Sequence, residues 1–412
     1  MEDNGILAPV GDFPAFAGEG ARTIYLDNAA TTQKPRCVIE TIEAFYGQCA
    51  GNVHRAVHGP GRFTTNAYEN ARETVARRIG APDPAGVVFT SGTTASVNLA
   101  ARSFGEKFVS AGDEILVTCA EHHSNFLPWQ QLCLRTGASL RVLGIGERGT
   151  LEPETLERAI GPRTRLLALC HVSNVLGAVN PVARLTEIAH ARGVPVLVDG
   201  AQAAAHLPVN VRELGCDFYC FSGHKVYGPS RIGVLWLSPR FAEELPPAFF
   251  GGEMVSEVTE ESCRFLPSPR RFEAGTPDFA GAIGLASALD YLAGLGAERV
   301  RRHERELCRL AFGRLGALEG IRIYSDPENC AGILSFTLDG VSVYDAALLL
   351  DARGVAVRAG VHCAAPLHAR LGAEATLRVS FAVYNTARDV EILAEALDGA
   401  LRILRGHPGG AL

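Results

Sequence analysis

The sequence predicts an α/β protein: a large, mostly parallel sheet followed by a smaller α+β domain at the C-terminal end. Three observations carry this. The chain has 412 residues, more than the roughly 250–300 over which one hydrophobic core keeps growing, so two domains are expected. Short apolar runs alternate with amphipathic helical stretches from about residue 86 to 236. The C-terminal third then changes pattern, with the boundary near 280–290.

The apolar runs are Gly86–Thr90, Glu114–Thr118, Leu166–His171, Pro195–Asp199, Asp217–Phe221 and Ile232–Trp236. They are apolar almost continuously rather than at every second residue. That pattern marks strands buried on both faces, as in a mostly parallel sheet covered by helices on each side. Residues 285–318 read as a long helical stretch, and strands are expected near Ile333–Leu338 and Leu377–Phe381. In the last helix Val390, Leu393, Leu397, Leu401 and Leu404 recur at spacings of three and four. Thr386 and Asp389 form a capping box at its start, with Asp in place of the usual Glu.

Composition is that of a globular protein, 47% apolar and 20% charged, with net charge −6 and pI near 6.1. That balance gives no electrostatic footprint for nucleic acid. The N-terminus lacks the basic-then-apolar layout of a signal peptide, and no apolar run approaches the ~18 residues of a membrane span. A cytoplasmic protein without a membrane partner is expected. The eleven cysteines include no Cys-x-x-Cys pair, so no metal site is expected and most should be reduced core thiols.

Several motifs stand where strands end. Ser222-Gly223-His224-Lys225 follows an apolar strand at its carboxyl end, where ligands of open α/β sheets bind. A lysine there can form a Schiff base if its pocket lowers its pKa; a surface lysine is the alternative. Asp199 ends the strand VPVLVD. It suits the acid that pairs with a protonated pyridinium nitrogen, or a helix N-cap. Ser91-Gly92-Thr93-Thr94 lies between a strand and a helical stretch. Backbone N–H groups and hydroxyls at a helix N-terminus make a phosphate site, against an ordinary cap.

Glu121-His122-His123-Ser124-Asn125 follows another strand. Adjacent histidines rarely share one metal ion and no third ligand stands at a usual spacing. A flat imidazole lying on a flat cofactor ring is the better functional reading, beside that of a structural histidine. Cys363 lies in Gly360-Val361-His362-Cys363-Ala364-Ala365-Pro366, an irregular loop. A loop thiol beside a histidine can ionise and act as a nucleophile, or simply pack. Arg378, inside an apolar strand, needs a partner for its charge. A substrate carboxylate would match its guanidinium fork, which makes Arg378 the strongest candidate to grip one; a structural salt bridge is the alternative. Arg358 is a weaker second candidate. Gly144–Gly149 matches Gly-x-Gly-x-x-Gly, but these glycines do not open a helix, so a turn is expected rather than a dinucleotide site.

In order, these segments resemble the cysteine desulfurases of the class V aminotransferase superfamily, and within them the second, SufS/CsdA-like group. The resemblance begins at Tyr25-Leu26-Asp27-Asn28-Ala29-Ala30-Thr31-Thr32 and continues through Asn52-Val53-His54-Arg55, EHHSNFLPWQ (121–130) and HVSNVLG (171–177). It goes on through VDGAQAAAH (198–206), DFYCFSGHKVYGP (217–229) and FEAGTPDFAG (272–281), then VRAGVHCAAPL (357–367) and RVSFAVYNT (378–386). Departures are Val361, where His or Gln is common, Phe250 where a third Gly is common, and the less familiar stretch 58–72.

The resemblance implies a fold type I pyridoxal 5′-phosphate (PLP) enzyme that converts L-cysteine to L-alanine, with the sulfur held as a persulfide on Cys363 and passed to an acceptor protein for iron–sulfur cluster assembly. Lys225, Cys363 and His122 would be catalytic, Lys225 holding the cofactor and His122 stacking on its ring. Asp199 would pair with the ring nitrogen and Gln202 with the ring hydroxyl. Thr93, Thr94, Ser222 and His224 would hold the phosphate, joined by Thr276 from the neighbouring subunit of a homodimer. Asn174, Arg378 and Arg358 would bind the substrate. The expected organisation is an N-terminal arm (1–22) packed with the small domain, a large PLP-binding domain (23–285) and a small domain (286–412) with the cysteine loop. A selenocysteine lyase, a cysteine-sulfinate desulfinase, or a class V aminotransferase or epimerase are the alternative activities.

Overall fold

The computed structural model describes residues 7–18 and 23–406. Residues 1–6 and 19–22 of the expected N-terminal arm, and residues 407–412, lie outside the described residues.

Seven strands form the large sheet: β1 (Val87–Thr90), β2 (Glu114–Thr118), β3 (Ser139–Leu143), β4 (Thr164–Cys170), β5 (Val196–Asp199), β6 (Phe218–Ser222) and β7 (Gly233–Leu237). Their spatial order is β1-β7-β6-β5-β4-β2-β3. Neighbours run parallel except β7, which is antiparallel to both β1 and β6. The continuous apolar runs have a direct cause. Successive strand residues point to opposite faces, and each face has its own core. Leu167, Val198 and Tyr219 enter one core, while Leu166, Leu197 and Phe218 enter the other.

A second sheet follows: β8 (Ile321–Ile323), β9 (Ile333–Leu338), β10 (Arg358–Gly360) and β11 (Thr376–Ser380). Its order is β8-β9-β11-β10, antiparallel throughout. One face packs in a third core with Leu307, Ala311, Leu393 and Leu397.

Four helices matter for the site: α1 (Thr93–Phe108), α2 (Phe279–Leu295), α3 (Ala297–Gly316) and α4 (Ala387–Leu404). The helical stretch read over 285–318 is thus two helices, and the first starts six residues earlier. They bend by 75° at Gly296, whose φ of +85° favours a residue without Cβ. The capping box of α4 is present in both directions: Asp389 N donates to Thr386 Oγ1, and Thr386 N to the Asp389 carboxylate. Leu404 is only half-buried, so the apolar stripe fades in the last turn. Gly144–Gly149 forms a turn, closed by Gly149 N donating to Gly146 O, and the next helix begins at Pro153.

The two ends of the described chain meet. Asp27 bridges Ser380, and Asn28 Nδ2 donates to Ser380 O at 2.7 Å and Asn385 Oδ1 at 3.1 Å. Residues 7–18 rest at the same join: Ala8 N donates to Val383 O, and Phe13 lies edge-on to Tyr384 and Tyr291. Among the described residues no single helix is long and apolar enough to cross a membrane.

Candidate active site

A cavity of about 360 Å³ opens at the carboxyl ends of β2, β5 and β6, closed from the opposite side by β11 and the loop before it. Each element ends there because the strand stops and a short turn aims a polar side chain inward. Lys225 terminates the single turn Gly223–Lys225 that follows β6. Burial, opposed by Asp199 and reinforced by Arg378, lowers its pKa to about 8. Its surroundings therefore make it a far better amine nucleophile at neutral pH than a solvated lysine.

Asp199 is buried at the end of β5, its Oδ1 accepting from Ala201 N at 2.9 Å. Burial raises its pKa, while that hydrogen bond and Lys225 oppose the rise. Gln202 Nε2 donates to Ala29 O at 2.9 Å, which fixes the amide at the cavity wall.

The N-terminus of α1 lines one end of the cavity with Thr93 and Thr94, beside Ser222 and His224. Thr93 N donates to Ser222 Oγ at 2.8 Å, and the two hydroxyls lie 2.8 Å apart. This cradle requires close backbone approach: a Cβ on Gly233 would lie 2.5 Å from Gly92 Cα. Burial, aided by the charges of Lys225 and Lys34, lowers His224 to about 4, so it is neutral at pH 7.

His122 follows β2. Its Nδ1 accepts from Ser124 N at 3.1 Å, which leaves the ring proton on Nε2. Burial and the nearby charges of Lys225 and His123 lower its pKa to about 3, so the ring is neutral at pH 7. Ser124 Oγ, 3.0 Å from that Nδ1, also lies 2.7 Å from Thr94 Oγ1, linking the histidine turn to the anion cradle.

Glu121, unassigned by the sequence reading, is fully buried behind His122. It accepts from Thr118 Oγ1 at 2.5 Å and Asn125 Nδ2 at 2.6 Å. Burial raises its pKa to about 7 despite these bonds.

On the opposite wall Arg378 is 3% exposed. Its Nη1 donates to Asn174 O at 2.9 Å and its Nη2 to Asp27 Oδ1 at 3.1 Å; Nε has no partner. Arg358 donates from Nε and Nη2 to Asp27 Oδ2, at 2.9 and 2.8 Å. The charge partner demanded by an arginine in an apolar strand is thus Asp27, within the YLDNAATT segment that carries the resemblance.

Cys363 is exposed and lies at the rim of the cavity. His362 and Cys363 have φ of +49° and +55°, a left-handed backbone that costs a non-glycine residue energy. Three anchors hold the loop: Asn174 Nδ2 donates to His362 O at 2.7 Å, His123 N to Cys363 O at 2.7 Å, and His362 Nε2 meets Thr376 O and Oγ1 at 3.1 and 3.0 Å. His362 Nε2 is thus taken up by Thr376, its Nδ1 has no hydrogen-bond partner, and burial and Arg378 lower its pKa to about 3. Cys49 and Cys263 are exposed as well, and neither lines the cavity.

Twelve of the thirteen expected site residues, from Thr93 to Arg378, thus line one cavity. Thr276 does not; it is exposed, just after Gly275, away from the cavity of its own chain. The cavity suits PLP by its chemistry. A buried amine of lowered pKa faces the aldehyde's requirement, a buried carboxyl that of a protonated ring, and a helix N-terminus with three hydroxyls that of a phosphate.

The family model for aminotransferase class-V matches residues 24–393. A probable cysteine desulfurase of Pseudomonas aeruginosa is 48% identical over 96% of this chain and 98% of its own. One of Halalkalibacterium halodurans is 46% identical over 94% and 95%. The solved structure of the cysteine desulfurase CsdA of Escherichia coli, in an S-sulfonic acid form, is 42% identical, with a TM-score of 0.90 over 96% of this chain and 98% of that one.

Proposed function

The chain belongs to the class-V aminotransferase family, and from that premise we propose that it is a cysteine desulfurase using PLP, releasing L-alanine from L-cysteine and holding the sulfur as a persulfide on Cys363. One observation supports the sulfur step above all: an exposed thiol stands at the rim of the cavity that contains Lys225. Bound PLP would supply the electron sink that lets the substrate α-proton depart and the carbon–sulfur bond weaken.

The residues have the following parts. Lys225 Nζ would hold the cofactor and would carry the proton that leaves the substrate's α-carbon. Asp199 keeps positive charge at the ring nitrogen. His122 would lie against the ring as a neutral imidazole, and Gln202 would bind the ring oxygen. Thr93, Thr94, Ser222 and His224 hold the phosphate, with Thr276 reaching it from the second subunit of a homodimer. Arg378, Asn174 and Arg358 fix the substrate carboxylate so that its sulfur points toward the rim. A bond then forms between Cys363 Sγ and the substrate sulfur as the bond from that sulfur to Cβ breaks.

The reading extends to the organisation and the partners. Residues 1–22 act as an arm on the small domain, 23–285 as the PLP-binding domain and 286–412 as the small domain with the cysteine loop. A sulfur-acceptor protein collects the sulfur in the cytoplasm for iron–sulfur clusters, without nucleic acid or membrane.

The test pairs the PLP-saturated enzyme with Cys363→Ala, measuring alanine and sulfide from L-cysteine with a reductant. Turnover by the unaltered enzyme alone, with both proteins showing the cofactor's absorbance, is expected. Sulfide release by Cys363→Ala would overturn the role of the thiol. Activity of that variant on selenocysteine or cysteine sulfinate would favour those substrates instead.

A further inference from the structure

A second thiol site lies away from the active-site cavity. Cys308 on α3 and Cys330, three residues before β9, have Sγ atoms 3.3 Å apart. Cys308 is fully buried and Cys330 is 7% exposed. Beside Cys330 is a cavity of about 30 Å³, lined also by His206, Glu304, Arg305 and Glu328, the last exposed. Glu304 Oε1 has no hydrogen-bond partner, and His206 Nδ1 lies 2.7 Å from Glu304 Oε2. The space is polar and holds one water-sized molecule.

Cys330 is tied to the loop that carries Asn174. It bridges Ala178, the next N–H, of Ala331, donates to Gly177 O at 2.9 Å, and a Cβ on Gly177 would lie 2.9 Å from Cys330 Sγ. Cys330 Sγ donates to Ile333 O at 2.7 Å.

We propose that Cys308 and Cys330 are a dithiol that hydrogen peroxide converts to a disulfide, and that this oxidation weakens amino-acid binding through the Asn174 loop. The small cavity admits the peroxide. The sulfur of Cys330 attacks one peroxide oxygen, the O–O bond breaks, and a sulfenic acid and one water form. Cys308 then attacks that sulfur and expels a second water. Two thiols are oxidised and one peroxide is reduced to two waters. A disulfide needs about 2.05 Å between the sulfurs, so they close by roughly 1.2 Å. The S–H donor to Ile333 is lost in the same event, and the Cys330 backbone moves against Gly177 and Ala178. Asn174, four residues before Ala178, holds both His362 O and, through its own carbonyl, Arg378.

The experiment uses the PLP-loaded Cys363→Ala protein, whose exposed nucleophile is gone. After peroxide treatment, remaining thiols are blocked in denaturant and the peptides weighed. A Cys308–Cys330 cross-linked peptide, two hydrogens lighter than the reduced pair, is expected and is absent when Cys308→Ser is added. L-Alanine, titrated by cofactor absorbance, should bind about threefold or more weakly after oxidation, with no change in the Cys308→Ser protein. The proposal is overturned if both cysteines are recovered blocked, or if the cross-linked protein binds alanine as the reduced one does. Only the alanine measurement rests on the desulfurase reading. Failure of the reduced protein to bind alanine counts against that reading and leaves the peptide to decide the thiol pair.

Discussion

Asp27 Oδ1 lies 3.1 Å from Arg378 Nη2, an ion pair joining residues 351 apart in sequence. Arg358 shares the same carboxylate from the solvent side. Replacing the carboxylate with an amide leaves Arg378 buried with only neutral acceptors. Asp27→Asn is therefore expected to cost about 3 kcal/mol, measured by denaturant unfolding of the cofactor-free protein. A loss below about 1 kcal/mol would show that Arg378 does not depend on this partner.

Lys225 sets a pH dependence for cofactor capture. Its lowered pKa of about 8 means that the neutral, reactive amine grows as pH rises through that value. Capture of PLP by cofactor-free protein, followed by absorbance, should accelerate about tenfold between pH 7 and 9 and then level off. Acceleration that continues to pH 10.5 would mean the lysine is not desolvated.

Glu121 makes a different linkage. Its folded pKa, about 7, lies above that of an unfolded glutamate. The sign follows: its contribution is complete below about pH 4 and is lost as pH rises through 7. Glu121→Gln cannot ionise, so its stability relative to the unaltered protein should improve from pH 5 to pH 9 by about 3 kcal/mol. Parallel stability curves for the two proteins would refute the buried, proton-holding carboxyl.

The cysteine loop depends on Thr376. His362 Nε2 and His368 Nε2 lie 3.0 and 3.1 Å from its Oγ1, and His368 Nδ1 lies 3.1 Å from Ala364 O. One hydrogen pattern satisfies all three: His368 donates from Nδ1, Thr376 donates to His368, and His362 donates to Thr376. Thr376→Val breaks that chain on both sides of Cys363. Sulfide production is expected to fall about tenfold or more, with cofactor absorbance unchanged. Loss of the absorbance as well would mean the chain supports the cofactor side too.

Much of this was legible in the sequence, for physical reasons. The apolar runs marked six of the seven large-sheet strands because a sheet covered on both faces needs apolar residues at every position. Ser139–Leu143 also forms, although as an edge strand it is mostly exposed or half-buried. The antiparallel direction of Gly233–Leu237 could not be read, since periodicity carries no direction. Ile321–Ile323 and Arg358–Gly360 escaped notice because three-residue strands give no periodic signal. Lys225, Asp199 and Thr93 were legible as cavity residues because each stands at or just after the carboxyl end of a strand. Asp27 was not given a role, for its partners lie more than 330 residues away and nothing local marks a carboxylate that will face two guanidinium groups. Glu121 hid beside two histidines that drew the metal question.

The meeting of the chain ends has a consequence for synthesis. A ribosome-bound chain that has just released Lys225 still lacks Cys363, Arg378 and the strand against which Asp27 and Asn28 are seated. Long-range contacts of this kind form late. A chain unfinished at that point therefore has Lys225 without Arg378 or Cys363, the residues proposed to hold the substrate and to receive its sulfur. On the proposed function, the capacity to liberate sulfur arrives only once Cys363 and Arg378 have been added, more than 130 residues after Lys225.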